Sequence, residues 1–149
     1  GVGKAWTLNA YNGPSTVGII VANIDNEAVD ANTLTAADDN IGLNRPMGIV
    51  HTTINLQSQD VDYVLSIPVN STQELKDAII SSLKDMHDSI GSPGGTITLS
   101  NINTAITSAG LSNYTIDDIK VNNLSIGVNN IIMSGINYPH KNLVTFGTL

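Results

Sequence analysis

The chain contains no cysteine. Disulfide staples and zinc–thiolate sites are thereby excluded. Aromatic residues make up only 4% against 41% hydrophobic. A core can form, but from Ile, Leu, Val and Ala with few bulky anchors, which predicts modest stability and dependence on neighbours. Basic residues are also scarce. Lys4, Arg45, Lys76, Lys84, Lys120 and Lys141 are scattered among 13 acidic residues, and the net charge is −7. Phosphate binding needs clustered Lys and Arg, so nucleic acid and anionic membrane surfaces are poor partners. No apolar run approaches the roughly 20 residues of a membrane-spanning helix, and no signal-peptide pattern is visible. The chain begins at Gly1 rather than Met, as expected of an excised or processed fragment with an N-terminal region beyond it.

What is present is a strong hydrophobic rhythm. Ala5–Tyr11 alternates like a strand, and Asn12-Gly13-Pro14-Ser15 reads as a turn. Thr16–Ala22 is a near-continuous apolar run, as in a central strand paired with the first. Ala31, Leu34, Ala37 and Ile41 share a helical face, and the short helix is expected to end near Gly42. Arg45-Pro46-Met47-Gly48 breaks it ahead of a β-branched strand over Ile49–Leu56. These elements predict a β-β-α-β unit over residues 1–58. The polar run Gln57-Ser58-Gln59-Asp60 is the boundary.

A second unit over 59–149 is predicted as β-α-β-α-β-β. Its first strand spans Val61–Val69. Ser71 and Glu74 fit a capping box opening a helix that runs to about Ile90, with Leu75, Ile79, Leu83, Met86 and Ile90 on one stripe. Ser92-Pro93-Gly94-Gly95 stops it, and Thr96–Leu99 starts a short strand. A second helix carries Ile102, Ala105, Ile106 and Ala109 on its apolar face, with Ser100 or Asn101 as its cap and Gly110 at its C′ position. Strands are expected over Tyr114–Val121, Asn123–Val128 and Asn130–Met133. Tyr138–Asn142 reads as a loop before a last strand, Leu143–Gly147. The fold class is therefore α+β, two small consecutive sheet-plus-helix (βαβ-like) units.

None of the chemistry-bearing residues forms a recognisable constellation. Gly1-Val2-Gly3-Lys4 is no phosphate loop, because Ala5 stands where the Mg²⁺-binding hydroxyl belongs and no strand precedes it. His51, His87 and His140 are not at metal-ligand spacing and read as surface or turn residues. Asp25, Glu27 and Asp30 lack the glycine and terminal glutamate of a calcium loop. Asp38-Asp39, Asp60/Asp62 and Asp117-Asp118 are acidic pairs that read as solvated faces rather than acid–base machinery. There is no nucleophile elbow. The glycosylation-type triplets at Asn70, Asn113 and Asn123 are what an Asn/Ser/Thr-rich chain produces by chance. The expectation is no catalytic, cofactor-binding or metal residues, no cofactor, and not an enzyme.

The order of the motifs, however, resembles a known family. Gly1-Val2 precedes Ala5-Trp6. Asn12-Gly13-Pro14-Ser15-Thr16-Val17 follows, and then Asn44-Arg45-Pro46-Met47-Gly48 ahead of a strand. The second half continues with a strand, a long helix, the Gly94-Gly95 turn, a second helix and the closing Phe146-Gly147-Thr148-Leu149. Taken in order, these resemble the baseplate J-like family of contractile-tail phages, and the chain is similar to its C-terminal part. That family carries a Gly-Val before the first strand, a Gly-Pro-Gly-Thr-Val-type turn and an Arg-Pro-x-Gly motif. Here Ser15 replaces the turn glycine, and Ser108-Ala109-Gly110-Leu111 lacks the customary proline.

The resemblance implies a structural role as a wedge component of a tail baseplate, related to other contractile injection machines. It implies partners among other wedge proteins and copies of the chain itself, and a place in the virion after assembly in the bacterial host cytoplasm. Arg45, Pro46 and Trp6 are the possible interface residues. Arg45 has two readings, a cation at a helix C-terminus or an interface arginine. The alternative function is a receptor- or carbohydrate-binding tail module, which needs exposed aromatic platforms drawn from Trp6, Tyr11, Tyr63, Tyr114, Tyr138 and Phe146.

Overall fold

The computed structural model describes residues 1–149. Three helices and nine strands in three sheets make an α+β architecture. The chain divides into two compact units, Gly1–Ser58 and Gln59–Leu149.

In the first unit, β1 (Lys4–Asn9) pairs antiparallel with β2 (Thr16–Ala22), and β2 pairs parallel with β3 (Val50–Asn55). A parallel return needs a crossover, and α1 (Ala31–Asn44) supplies it. β1 stops at Asn9 rather than Tyr11, because Ala10 takes φ 54 and turns the chain away from the ladder. Tyr11 then covers Gly18, where an added Cβ would lie 2.9 Å from the tyrosine ring. Ile20, Val21 and Ala22 of the central strand are buried. The two-way bond between the Asn55 amide and the Val29 backbone, at 2.9 and 2.7 Å, ties the start of the crossover to β3.

The second unit is built on a sheet of order β7-β6-β4-β9. These strands are β4 (Gln57–Ile67), β6 (Thr115–Val121), β7 (Leu124–Ser125) and β9 (Asn137–Thr148). A two-stranded sheet pairs β5 (Thr96–Ile97) with β8 (Ile131–Ile132). The polar segment Gln57–Asp60, read as the boundary, forms the first third of β4, and the two units divide within it, between Ser58 and Gln59. Its backbone pairs regardless of side-chain polarity: Asn122 N donates to Asp60 O at 2.8 Å. Beyond it, Val61, Tyr63, Leu65 and Ile67 alternate inward and are all buried.

Helices α2 (Gln73–Ile90) and α3 (Leu99–Ser108) close the core. Ile79, Leu83 and Met86 of α2 are buried, with Ile102, Ala105 and Ile106 of α3. Each fully buried aliphatic side chain contributes roughly 1.5–3 kcal/mol. Ile90, expected on the α2 stripe, is 41% exposed at the last turn. Both caps differ from expectation. Thr72, not Ser71, accepts from Leu75 N. Thr98, not Ser100 or Asn101, caps α3, and Asn101 returns a bond to Thr98 N to complete the box. In both, the threonine just before the first helical residue has extended backbone and so folds its hydroxyl over the first turn.

The C-terminal strands also shift. The strand expected over Asn123–Val128 shrinks to Leu124–Ser125. Asn122 and Asn123 have φ 49 and 64, making a tight β6–β7 turn, and Gly127 at φ 65 ends the pairing. The loop expected over Tyr138–Asn142 is part of β9. Pro139 removes a donor, but β9 is an edge strand, where that is tolerated. Contacts between β9 and β4 advance in step, from His140 beside Asp60 to Leu149 N on Ile67 O, so the two run in the same direction.

Candidate interface site

Helix α1 is held against the first sheet in an unusual way: none of its residues is buried. Asp30 starts it, accepting from Thr33 N at 2.9 Å and from the Thr33 hydroxyl at 2.7 Å. Those bonds, the backbone one first, hold the Asp30 carboxyl below its usual range. At mid-helix, Asp38 accepts from the Thr53 hydroxyl at 2.7 Å and meets His51 Nε2 at 3.1 Å. The Thr53 bond is the main reason the Asp38 carboxyl is lowered, with the His51 charge a smaller contribution.

Val17 faces His51 and Ile19 faces Thr53 across the β2–β3 ladder, so all four lie on the side that α1 covers. Helix and sheet leave an apolar cleft of about 390 Å³ toward the C-terminal end of α1, lined by Val17, Ile19, Ile41, Arg45, Pro46 and Ile49. Arg45 is the C-cap, extended at φ −71 and ψ 148 as the residue before proline must be. Its Nη1 donates to Ile49 O at 2.8 Å and closes the turn. The helix-stop reading of Arg45 therefore has a definite geometry, and its guanidinium stands at the cleft wall. The same segment exposes Leu43 at 87%, Met47 fully and Val50 at 57%.

Arg45 and Pro46 are thus brought together, and Trp6 is not with them. Trp6 is opposite Ile20, which is opposite Ile54. That row belongs to the other face of the sheet. Sequence reading missed Val17, Ile19, Ile41 and Ile49 as a shared lining. The available signal was the parallel crossover, which returns the chain beside the start of β2.

The other candidates separate. His51 sits on β3, His87 on α2 and His140 on β9. His87, expected at the surface, is 1% exposed. His140, expected in a loop, lies 3.6 Å from Asp60. No group of three or more His, Asp or Glu side chains converges as a metal site. The acidic pairs divide among different partners. Asp117 accepts from Ser66 and Asp118 from Ser125, each at 2.6 Å. Asp62 accepts from Asn142 and from Leu143 N. Among the aromatics, Tyr63 and Tyr138 are interior residues and offer no platform. No helix is long and apolar enough to cross a membrane. No protein-family model matches the chain, and no curated protein matches it.

Proposed function

We propose that this chain is a structural component of a phage-type contractile-tail baseplate, a wedge-protein fragment that acts by protein–protein assembly. The observation that carries this reading is the apolar cleft walled by Arg45 and Pro46, with Leu43, Met47 and Val50 exposed in the same segment. An apolar cleft with a single arginine in its wall, in a segment that exposes further apolar side chains, has the composition of an interface core, where charge is sparse and Arg is enriched. The order of the Gly-Val, Gly-Pro and Arg-Pro motifs supports the same reading. No chemistry is asked of the unit: the residues that bond, Arg45 to Ile49 and Asp38 to Thr53, shape a rigid surface.

The test is co-expression with the products of the adjacent genes. A stable complex by size exclusion is expected, lost in a Leu43→Asp/Met47→Asp variant whose circular dichroism is unchanged. Failure of every neighbouring product to bind, or reproducible turnover of a substrate, rejects the reading.

A further inference from the structure

We propose that copies of this chain dock head to tail, the Ile24 turn of one copy seating in the Arg45 cleft of the next; this deepens the assembly reading and rests on it. The donor half is a hydrophobic knob. Ile24 is 73% exposed. Of the large exposed apolar residues it alone has an acidic neighbour in the chain, Asp25, with Glu27 close behind. The knob is rigid. Asn23 Oδ1 accepts from both Asp25 N and Glu27 N at 2.9 Å, and Asn23 N donates to Glu27 O at 2.9 Å. Asn26 is buried with φ 61 at the turn. Gly3 passes beneath, where an added Cβ would lie 2.4 Å from Ile24 N. A side chain held out in this way loses little freedom on docking.

The acceptor half is the cleft of about 390 Å³, ample for one isoleucine side chain. Arg45 is the one permanent charge in its lining, opposite in sign to Asp25 and Glu27. The two halves cannot meet within one copy. Ile24 follows the C-terminal end of β2, while Val17 and Ile49 mark the N-terminal ends of β2 and β3. At about 3.3 Å per residue they are roughly 20 Å apart. A knob at one end and a socket at the other form a heterologous contact, which repeats rather than closing on a two-fold axis.

Sedimentation velocity of the whole chain over a rising concentration series tests this. Species beyond the dimer are expected. Ile24→Asp should weaken association by roughly 10- to 100-fold without moving the melting temperature, since the side chain is solvent-exposed. Arg45→Glu copies and Asp25→Lys/Glu27→Lys copies should each fail alone and associate when mixed. A chain that stays monomeric, stops at a closed dimer, or associates equally well as Ile24→Asp overturns the proposal. If it stays monomeric yet binds the adjacent gene products, self-docking falls and the assembly reading stands.

Discussion

The Tyr63 hydroxyl lies 2.6 Å from His87 Nε2, and both side chains are shut off from solvent. His87 Nδ1 is 2.8 Å from the Pro139 carbonyl, which can only accept. The proton of the neutral ring therefore sits on Nδ1, Nε2 accepts, and Tyr63 donates. The Tyr138 hydroxyl donates to His87 O at 2.8 Å. Strands β4 and β9 are thereby pinned to α2.

Burial pushes the His87 imidazole down to about 4 from its ordinary 6.5, with smaller contributions from His140 and Lys141, opposed by the Pro139 bond and Asp88. An unfolded chain therefore takes up this proton at a higher pH than the folded one. Stability from the neutral ring is intact above pH 6.5 and drains away as pH falls toward 4, by on the order of 3 kcal/mol. Urea midpoints measured down this window should fall. In His87→Gln the slope due to this group should vanish; an unchanged slope would point to other groups.

Tyr63→Phe removes the donor and strands a buried ring nitrogen. The expected cost is about 1–3 kcal/mol, the desolvation penalty of an orphaned acceptor. Chemical denaturation at neutral pH measures it, and a neutral result would mean that water or a rearranged Tyr138 replaces the bond.

Gly91→Ala places a methyl 2.4 Å from His87 O and 2.7 Å from the Tyr138 hydroxyl. The same latch is attacked from a different side, here by overpacking, at a cost of about 1–3 kcal/mol. A thermal melt that matches the wild type would show that the helix end shifts freely.

For α3, Thr98→Ala should cost about 1 kcal/mol, because the hydroxyl that accepts from Asn101 N and donates to Asn101 Oδ1 is lost, while the backbone bond from residue 98 N to Asn101 Oδ1 stays. Ser100→Ala should stay within about 0.5 kcal/mol. The reverse ranking in paired denaturation curves would restore Ser100 as the cap.

The two long helices should differ in dynamics as well as in energy. Leu83→Ala in α2 should cost about 2–5 kcal/mol. Ile41→Ala in α1 should cost far less, since no α1 residue is buried. Amide exchange across α1 should be the faster of the two; equal protection would mean that something covers α1.

Local patterns were legible where one face of an element is buried. Thr16–Ala22 read as the strand it is, Val61–Val69 as a strand that ends two residues early at Ile67, and Ile79, Leu83, Ile102 and Ile106 as core, because alternation and helical spacing record which side meets the interior. Polar side chains hid two strand segments. Gln57–Asp60 read as a polar boundary and Tyr138–Asn142 as a loop, yet a strand needs only a partner for its backbone, supplied by Asp60 with Asn122 and by β9 lying along β4. His87 looked like a surface residue because nothing in its neighbours announces Tyr63 or Pro139, 24 and 52 positions away.

The sequence by itself determined the α+β class, the absence of thiol chemistry, the acidic balance, and the stop that Pro46 imposes on α1. Those follow from residue chemistry and from the conformational limits each residue carries. Only tertiary structure decided that Arg45 walls an apolar cleft, that Trp6 lies on the opposite sheet face, and that His87 is locked between two tyrosines. Each of those depends on which strand lies beside which, and strand pairing is a long-range choice that no local run of residues encodes.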